Sequence, residues 1–338
     1  MNTVFLTGAT GFIGRHVAAA LLARGCEVRC LVRSSAKAAH LRHDGLRIVE
    51  GTLTDDAGWR SALAGCDTVI NVGGLVAARS VPDLFQANGH GPALLADACA
   101  ALESPPRLVH VSSLAAAGPT PAACRLRVEA DPPAPISNYG ASKRAGEAEL
   151  ERRADRVPVT IIRPGVVFGP HDRNFSQIFQ FVNVVHAHLQ MGFCEPPLSL
   201  IHVTDLVELM LAATERGDLL PADGSADGRG IYFACDDREH PTYGEIGRRV
   251  ARALGHRRVL VAPLPMALAW PFIVAIEKFW HATGQASIVS ADKLREATAR
   301  SWASSAARSR DHLGVAPRAT LDERLGETAA WLRDNGRL

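Results

Sequence analysis

The chain carries no excess of either charge: 37 Lys and Arg stand against 35 Asp and Glu over 338 residues, a formal net charge of +2. That excludes a basic field for nucleic acid and an acidic tail for a basic partner. Its seven cysteines (Cys26, Cys30, Cys66, Cys99, Cys124, Cys194 and Cys235) contain no CxxC pair and are odd in number, so a disulfide framework is not expected and a reduced, cytoplasmic protein is. The thirteen histidines form no HExxH and no cluster with cysteine at ligand spacing, so no metal site is expected. His40, His43, His186 and His188 read as surface or core residues. Internal repeats and low-complexity tracts are also missing. No basic segment precedes Val4-Phe5-Leu6, which runs directly into a glycine motif and reads as a first strand rather than a signal peptide.

Long runs that are apolar throughout are scarce too, and one of them needs separate reading. Val259 to Ile276 has no charged residue, and its length is about that at which a membrane span becomes a candidate. Pro263, Pro265 and Pro271 interrupt it, which argues against a regular spanning helix. The segment suits an apolar pocket or core, or contact with a membrane surface.

What is present is a strand–helix rhythm. Val4–Leu6, Glu27–Val32, Arg47–Val49, Thr68–Ile70, Leu108–Val111 and Val159–Ile162 read as buried strands, with helical stretches such as His16–Ala23 and Leu84–Ala101 between them. This spacing predicts right-handed crossovers and a doubly wound parallel sheet, an α/β fold. After Pro170 the rhythm changes. Leu200–Val203 and Ile231–Cys235 are expected to return to the sheet, and Thr242 to cap a helix that runs to Leu254. The expected organisation is a dinucleotide-binding domain over 1–170, rejoined by 200–235, and a smaller interleaved C-terminal lobe for substrate over 171–199 and 236–338.

The octapeptide Thr7-Gly8-Ala9-Thr10-Gly11-Phe12-Ile13-Gly14 lies between the first strand and the first helix. There Gly8 permits the tight turn, Gly11 lets backbone approach a pyrophosphate, and Gly14 lets helix and strand pack closely, a Rossmann-type arrangement with the helix N-terminus facing the phosphates. At the end of the second strand, Arg33 followed by Ser34 and Ser35 replaces the acidic residue that would bind a ribose 2′-hydroxyl. NADP is therefore favoured, with NAD the alternative.

Tyr139 and Lys143, four residues apart, share one helix face. Exchanging a proton with an alcohol near neutral pH requires a phenol whose anion is stabilised by a cation, and Lys143 is placed to supply it. Ser112 and Ser113 end a strand where open α/β sheets bind ligands. Ser113 is the candidate partner of the substrate oxygen, and Ser112 the alternative.

Together these residues resemble the extended short-chain dehydrogenase/reductase family, which includes nucleotide-sugar epimerases, dehydratases and 3β-hydroxysteroid dehydrogenases. The resemblance also rests on Ala64-Gly65-Cys66-Asp67, Asn88 opening a helix, Arg163–Pro170 and Ile201–Leu206, and so covers most of the chain. It implies a Ser113–Tyr139–Lys143 catalytic set. It further implies a cofactor lined by Gly8, Gly11, Phe12, Ile13, Gly14, Arg33, Leu53, Val72, Gly73 and Gly74, by Tyr139 and Lys143, and by Pro164, Val166 and Val167. His202 and Asp205 match an interlobe motif, and His202 reads as structural. Departures are Thr52 where the family usually has Asp, Gly73-Gly74 in place of small alanines, and His90-Gly91-Pro92; they put the fit of the cofactor in doubt more than the chemistry.

Leu114-Ala115-Ala116-Ala117-Gly118-Pro119 lacks the Asp-Glu pair of sugar dehydratases. It is similar instead to the corresponding stretch of 3β-hydroxysteroid and sterol-4-carboxylate dehydrogenases, as is the run from Ser287 to Trp331. The resemblance implies an oxidoreductase acting on a lipophilic, sterol-like alcohol or ketone, and a homodimer; the balanced charge predicts no nucleic-acid role, the scattered cysteines a cytoplasmic location, and the 259–276 segment peripheral contact at a membrane. A nucleotide-sugar epimerase that retains NAD is the rival enzyme, and a non-catalytic nucleotide-binding scaffold the rival from another class.

Overall fold

A computed structural model describes residues 2–41, 43–55, 58–121, 125–193, 195–225, 227–265, 270–271 and 291–338. Seven parallel strands form the central sheet: β1 (Thr3–Thr7), β2 (Glu27–Val32), β3 (Leu46–Glu50), β4 (Thr68–Asn71), β5 (Arg107–Val111), β6 (Val159–Pro164) and β10 (Ile231–Ala234). Their spatial order is β10-β6-β5-β4-β1-β2-β3, so the direction of winding reverses between β1 and β4. Such a reversal opens a crevice at the carboxyl ends of the strands, where ligands of this architecture bind. Each expected strand is present, within a residue or two of its expected ends, but the one expected from Leu200 does not rejoin this sheet: Leu200–His202 pairs with Val166–Phe168 in a separate two-stranded sheet.

The near-continuous apolar character of these strands follows from burial on both faces. On one side Val4, Leu6, Val28 and Val109 pack with Val17 and Leu21 of α1 (Phe12–Ala23) and with Leu206 and Met210 of α7 (Val203–Arg216). On the other, Phe5, Val69, Leu108 and Ile161 pack with Leu95 and Cys99 of α3 (Gly91–Ala100) and Leu150 of α5 (Asn138–Glu151).

The helix expected from Leu84 begins earlier, as α2 (Val81–Phe85) capped by Ser80, and widens into one π-helical turn at Gln86–His90 before α3. Asn88 therefore lies inside this helical run and does not open it. The wide turn follows from what Asn88 must do. Its side chain bonds both the N–H and the carbonyl of Leu75, each at 2.8 Å, and so holds the loop after β4. The short helix α4 (Leu114–Ala117) follows β5, and β7 (Val166–Phe168) pairs in parallel with β9 (Leu200–His202).

A separate apolar cluster joins α6 (Ser176–Val185), α8 (Tyr243–Ala253) and the C-terminal helix α11 (Leu321–Asp334) through Phe179, Ile246, Val250, Leu325 and Leu332. Thr242 caps α8 through a complete capping box with Glu245, as its sequence position predicts. Strands β8 (Ala187–Met191) and β11 (Leu260–Leu264) form a small parallel sheet beside this cluster. Two short helices, α9 (Ala291–Ala297) and α10 (Ala307–Leu313), precede the C-terminal helix.

The described part of the 259–276 segment departs from the expectation of a pocket wall. It is an edge strand, with Leu260 67% exposed and Trp270 48% exposed, and none of its described residues lines the main cavity. Residues 266–269 and 272–276 lie outside the described residues. No helix among the described residues is long and apolar enough to cross a membrane.

Candidate active site

The glycine loop has the geometry that its spacing predicts. Gly8 has φ +73°, and a Cβ there would lie 2.8 Å from the Gly73 nitrogen. A Cβ on Gly14 would lie 2.1 Å from the Gly8 carbonyl oxygen, so close packing of loop against helix requires glycine. Gly11 caps α1 without a side-chain hydrogen bond, and the first turn holds no acidic residue. The first N–H groups of α1 are thus left for an anion.

A chain of hydrogen bonds ties the ends of β1, β4 and β5 below this loop. Thr7 Oγ1 accepts from the Gly73 N–H at 2.9 Å and donates to Asn71 Oδ1 at 2.6 Å, and Asn71 Nδ2 meets His110 Nδ1 at 3.0 Å. Burial holds the His110 imidazole well below its ordinary value, and the charge of Lys143 adds to the effect.

Across the crevice, α5 starts at a Ser137 cap and presents Tyr139 and Lys143. The Ser113 hydroxyl caps α4, accepting from the Ala115 N–H at 3.1 Å, and both Ser112 and Ser113 border the same cavity as Tyr139. Burial pushes the phenol up to about 12, the Ser113 hydroxyl pulls it back, and Glu296 pushes it further up. Lys143 is buried and donates from Nζ to the Val111 carbonyl at 2.8 Å. Burial brings its ammonium down to about 8, against the opposing pull of Glu147.

These side chains face a cavity of about 680 Å³. Of the residues singled out in sequence, Phe12, Ile13, Val72, Gly74, Ser112, Ser113, Tyr139, Lys143, Pro164, Val166 and Val167 line it. Gly8, Gly11, Gly14, Gly73, Arg33 and Leu53 do not. Gly8, Gly14 and Gly73 shape the loop behind the wall; Leu53 packs at the side of Gly73 and Gly91, and Arg33 is exposed after β2.

His202 is buried, caps α7 through Nδ1, and packs edge-on against Phe168. Burial takes its imidazole down to about 3, helped by Arg324 and His16. Asp205 accepts two bonds from Arg324, at 3.1 and 2.6 Å, and so ties α7 to α11.

The sequence reading missed the outer wall of the cavity, which includes Leu75, Phe175, Ile178, Leu198 and Trp302 together with Gln190, Tyr243, Lys293 and Glu296. It also missed the contact of α9 with the start of α5. Both Asp292 carboxylate oxygens accept from the Asn138 N–H at 2.8 Å, Glu296 accepts from the Ser137 hydroxyl, and Lys293 Nζ lies 4.6 Å from the centroid of the Tyr139 ring. No local pattern announces contacts between residues more than 150 positions apart. Among the described residues, no group of three or more His, Cys, Asp or Glu could hold a metal ion, and Cys26, Cys30, Cys66, Cys99 and Cys235 are buried.

Comparison with known proteins agrees with this geometry. Residues 4–224 match the model of the NAD dependent epimerase/dehydratase family. The chain is 30% identical over 336 residues to a ceramide reductase of Caulobacter vibrioides, covering 99% of this chain and 96% of the relative. It is 27% identical to sterol demethylase protein B of Methylococcus capsulatus, over 99% of both chains. Among solved structures, the UDP-glucose 4-epimerase of Thermus thermophilus in complex with NAD superposes with a TM-score of 0.75 at 23% identity, covering 98% of this chain and 99% of that one, a likeness of fold.

Proposed function

The chain belongs to the NAD dependent epimerase/dehydratase family and is an NAD(P)-dependent enzyme of the extended short-chain dehydrogenase/reductase type; from that premise we propose that it interconverts a secondary alcohol and a ketone on a lipophilic substrate, with NADP the favoured dinucleotide. The observation that carries the reading is the apolar cavity converging on Ser113, Tyr139 and Lys143. A sugar diphosphate would want arginines in a polar cleft, and among the described residues no arginine lines this cavity. The names of the ceramide reductase and of sterol demethylase protein B point to lipid substrates for those proteins, which favours the same class here.

The site fits a dinucleotide. The strained Gly8 turn, the uncapped start of α1 and the approach permitted at Gly74, whose Cβ would lie 2.9 Å from Asn88 Oδ1, leave room for phosphates and ribose against backbone. When bound, the nicotinamide supplies or accepts the hydride. Tyr139 gives or takes the proton at the substrate oxygen, and Ser113 holds that oxygen beside the phenol. A phenolate forming at Tyr139 is stabilised by the positive charge of Lys143, one helical turn along α5. Pro164, Val166 and Val167 form an apolar wall that keeps water from the reacting carbon.

We also propose that the enzyme works against a membrane surface. Val184, Phe193 and Leu260 are 77%, 74% and 67% exposed, and the exposed pair Arg257-Arg258 leads into β11. Apolar side chains flanked by arginines suit an anionic lipid surface. Leu189 is both exposed and part of the cavity wall, which suits entry of a lipid from that side. A homodimer is also proposed, on family likeness.

The test is an assay of the purified protein with NADPH or NADH and long-chain or sterol ketones, following cofactor absorbance. Oxidation of NADPH that needs the ketone supports the reading. Protein that arrives with NAD bound, turns over no ketone and inverts a sugar nucleotide overturns it in favour of an epimerase.

A further inference from the structure

Strand β8 faces the wrong way for packing alone. A half-buried strand alternates apolar side chains inward and polar ones outward. Here the alternation is inverted: His188 and Gln190 are 2% and 4% exposed, while Leu189 between them is 46% exposed. Neither buried residue is fully satisfied, since His188 Nε2 and Gln190 Oε1 both lack a hydrogen-bond partner. A buried polar atom left unpaired loses its hydration without a replacement bond, and an apolar residue at 190 would avoid the loss.

Gln190 lines the same cavity as Tyr139, and its carboxamide oxygen lies close against Gly244 of α8. A Cβ on Gly244 would lie 2.7 Å from Gln190 Oε1 and 3.0 Å from Glu195 Oε1, so even alanine would crowd the group. Tyr243, the preceding residue, also lines the cavity and packs its ring on His188 with centroids 4.5 Å apart. A polar subsite is thus set into a wall that is otherwise formed largely by apolar side chains such as Phe175, Ile178 and Leu198.

We propose that Gln190 is a specificity-determining residue that hydrogen-bonds a second polar group of the substrate, an amide or a hydroxyl set apart from the reacting carbon. A carboxamide both donates and accepts, so it matches either group and rejects a purely hydrocarbon chain, which would leave it unpaired. The inference rests on the reading of a lipophilic alcohol or ketone as substrate and narrows that class to lipids bearing this extra group.

The experiment is a calorimetric titration of the NADP-loaded protein with two long-chain ketones of equal length, one carrying a secondary amide within its chain and the other only methylenes. The native protein is expected to bind the amide ketone at least about tenfold more tightly. Gln190→Leu is expected to lose that preference while still binding the hydrocarbon ketone, and Gly244→Ala, which displaces the carboxamide, to weaken it. Equal binding of both ketones by the native protein, binding of neither, or a preference that survives in Gln190→Leu overturns the proposal. Turnover is followed in parallel: a binding preference that depends on Gln190 without reduction of either ketone refutes the alcohol–ketone chemistry and leaves the subsite standing.

Discussion

Glu147 grips Arg163 with both carboxylate oxygens, Oε1 accepting from Nε at 2.8 Å and Oε2 from Nη2 at 2.6 Å, with side chains 0% and 1% exposed. The pair joins α5, one turn beyond Lys143, to the end of β6, where Pro164 begins the wall over the crevice. Breaking a buried pair leaves one charge uncompensated. Glu147→Ala is expected to cost about 3–5 kcal/mol, read from the shift of the urea midpoint.

Tyr139→Phe removes the proton carrier and leaves the ring. It is expected to lower kcat about 10²–10⁴-fold while NADPH affinity, measured by fluorescence, stays close to native. Because Lys143 sits at about 8, its ammonium is present below that pH and lost above it. Turnover that needs this charge falls as pH rises through about 8, and Lys143→Arg, whose charge persists, is expected to remove that fall from whatever activity it retains.

Arg33 decides the choice of dinucleotide if it neutralises a 2′-phosphate. Arg33→Asp is expected to weaken NADPH at least about tenfold and to favour NADH. Titration of both cofactors checks it, and an unchanged NADPH affinity would leave Arg33 as a solvated strand-end residue.

His202 provides a pH signature for the fold. Its imidazole falls to about 3 in the folded protein, against about 6.5 in the unfolded chain. Between those values the unfolded state binds more protons, so its contribution to stability is present above about 6.5 and declines as pH falls toward 3. Urea midpoints across this range should show the decline, and His202→Gln, which keeps a polar side chain without the titration, should flatten it.

Flotation with phosphatidylglycerol vesicles tests the membrane face. The native protein is expected to rise with the vesicles, and Phe193→Ser with Leu260→Asp to remain in the soluble fraction at unchanged thermal stability. Both side chains are mostly exposed, so their replacement costs little core packing.

The order of strands and helices was legible in the sequence because parallel strands buried on both faces must be largely apolar: Val4–Leu6 is so throughout, and Leu108–Val111 and Val159–Ile162 are so but for His110 and Thr160. The glycine loop was legible for an equally local reason, since a turn at φ +73° and a helix packed within 2.1 Å of a would-be Cβ admit glycine alone. Tyr139 and Lys143 follow the same logic, because four residues of α-helix return a side chain to the same face. Tertiary structure alone decided that Asp292 and Glu296 hold the start of α5, that Leu260–Leu264 forms an edge strand, and that Gln190 is buried. These relationships join segments tens to more than 150 residues apart. Their partners are selected by how packed elements meet in space, and periodicity and local backbone geometry carry no record of that meeting.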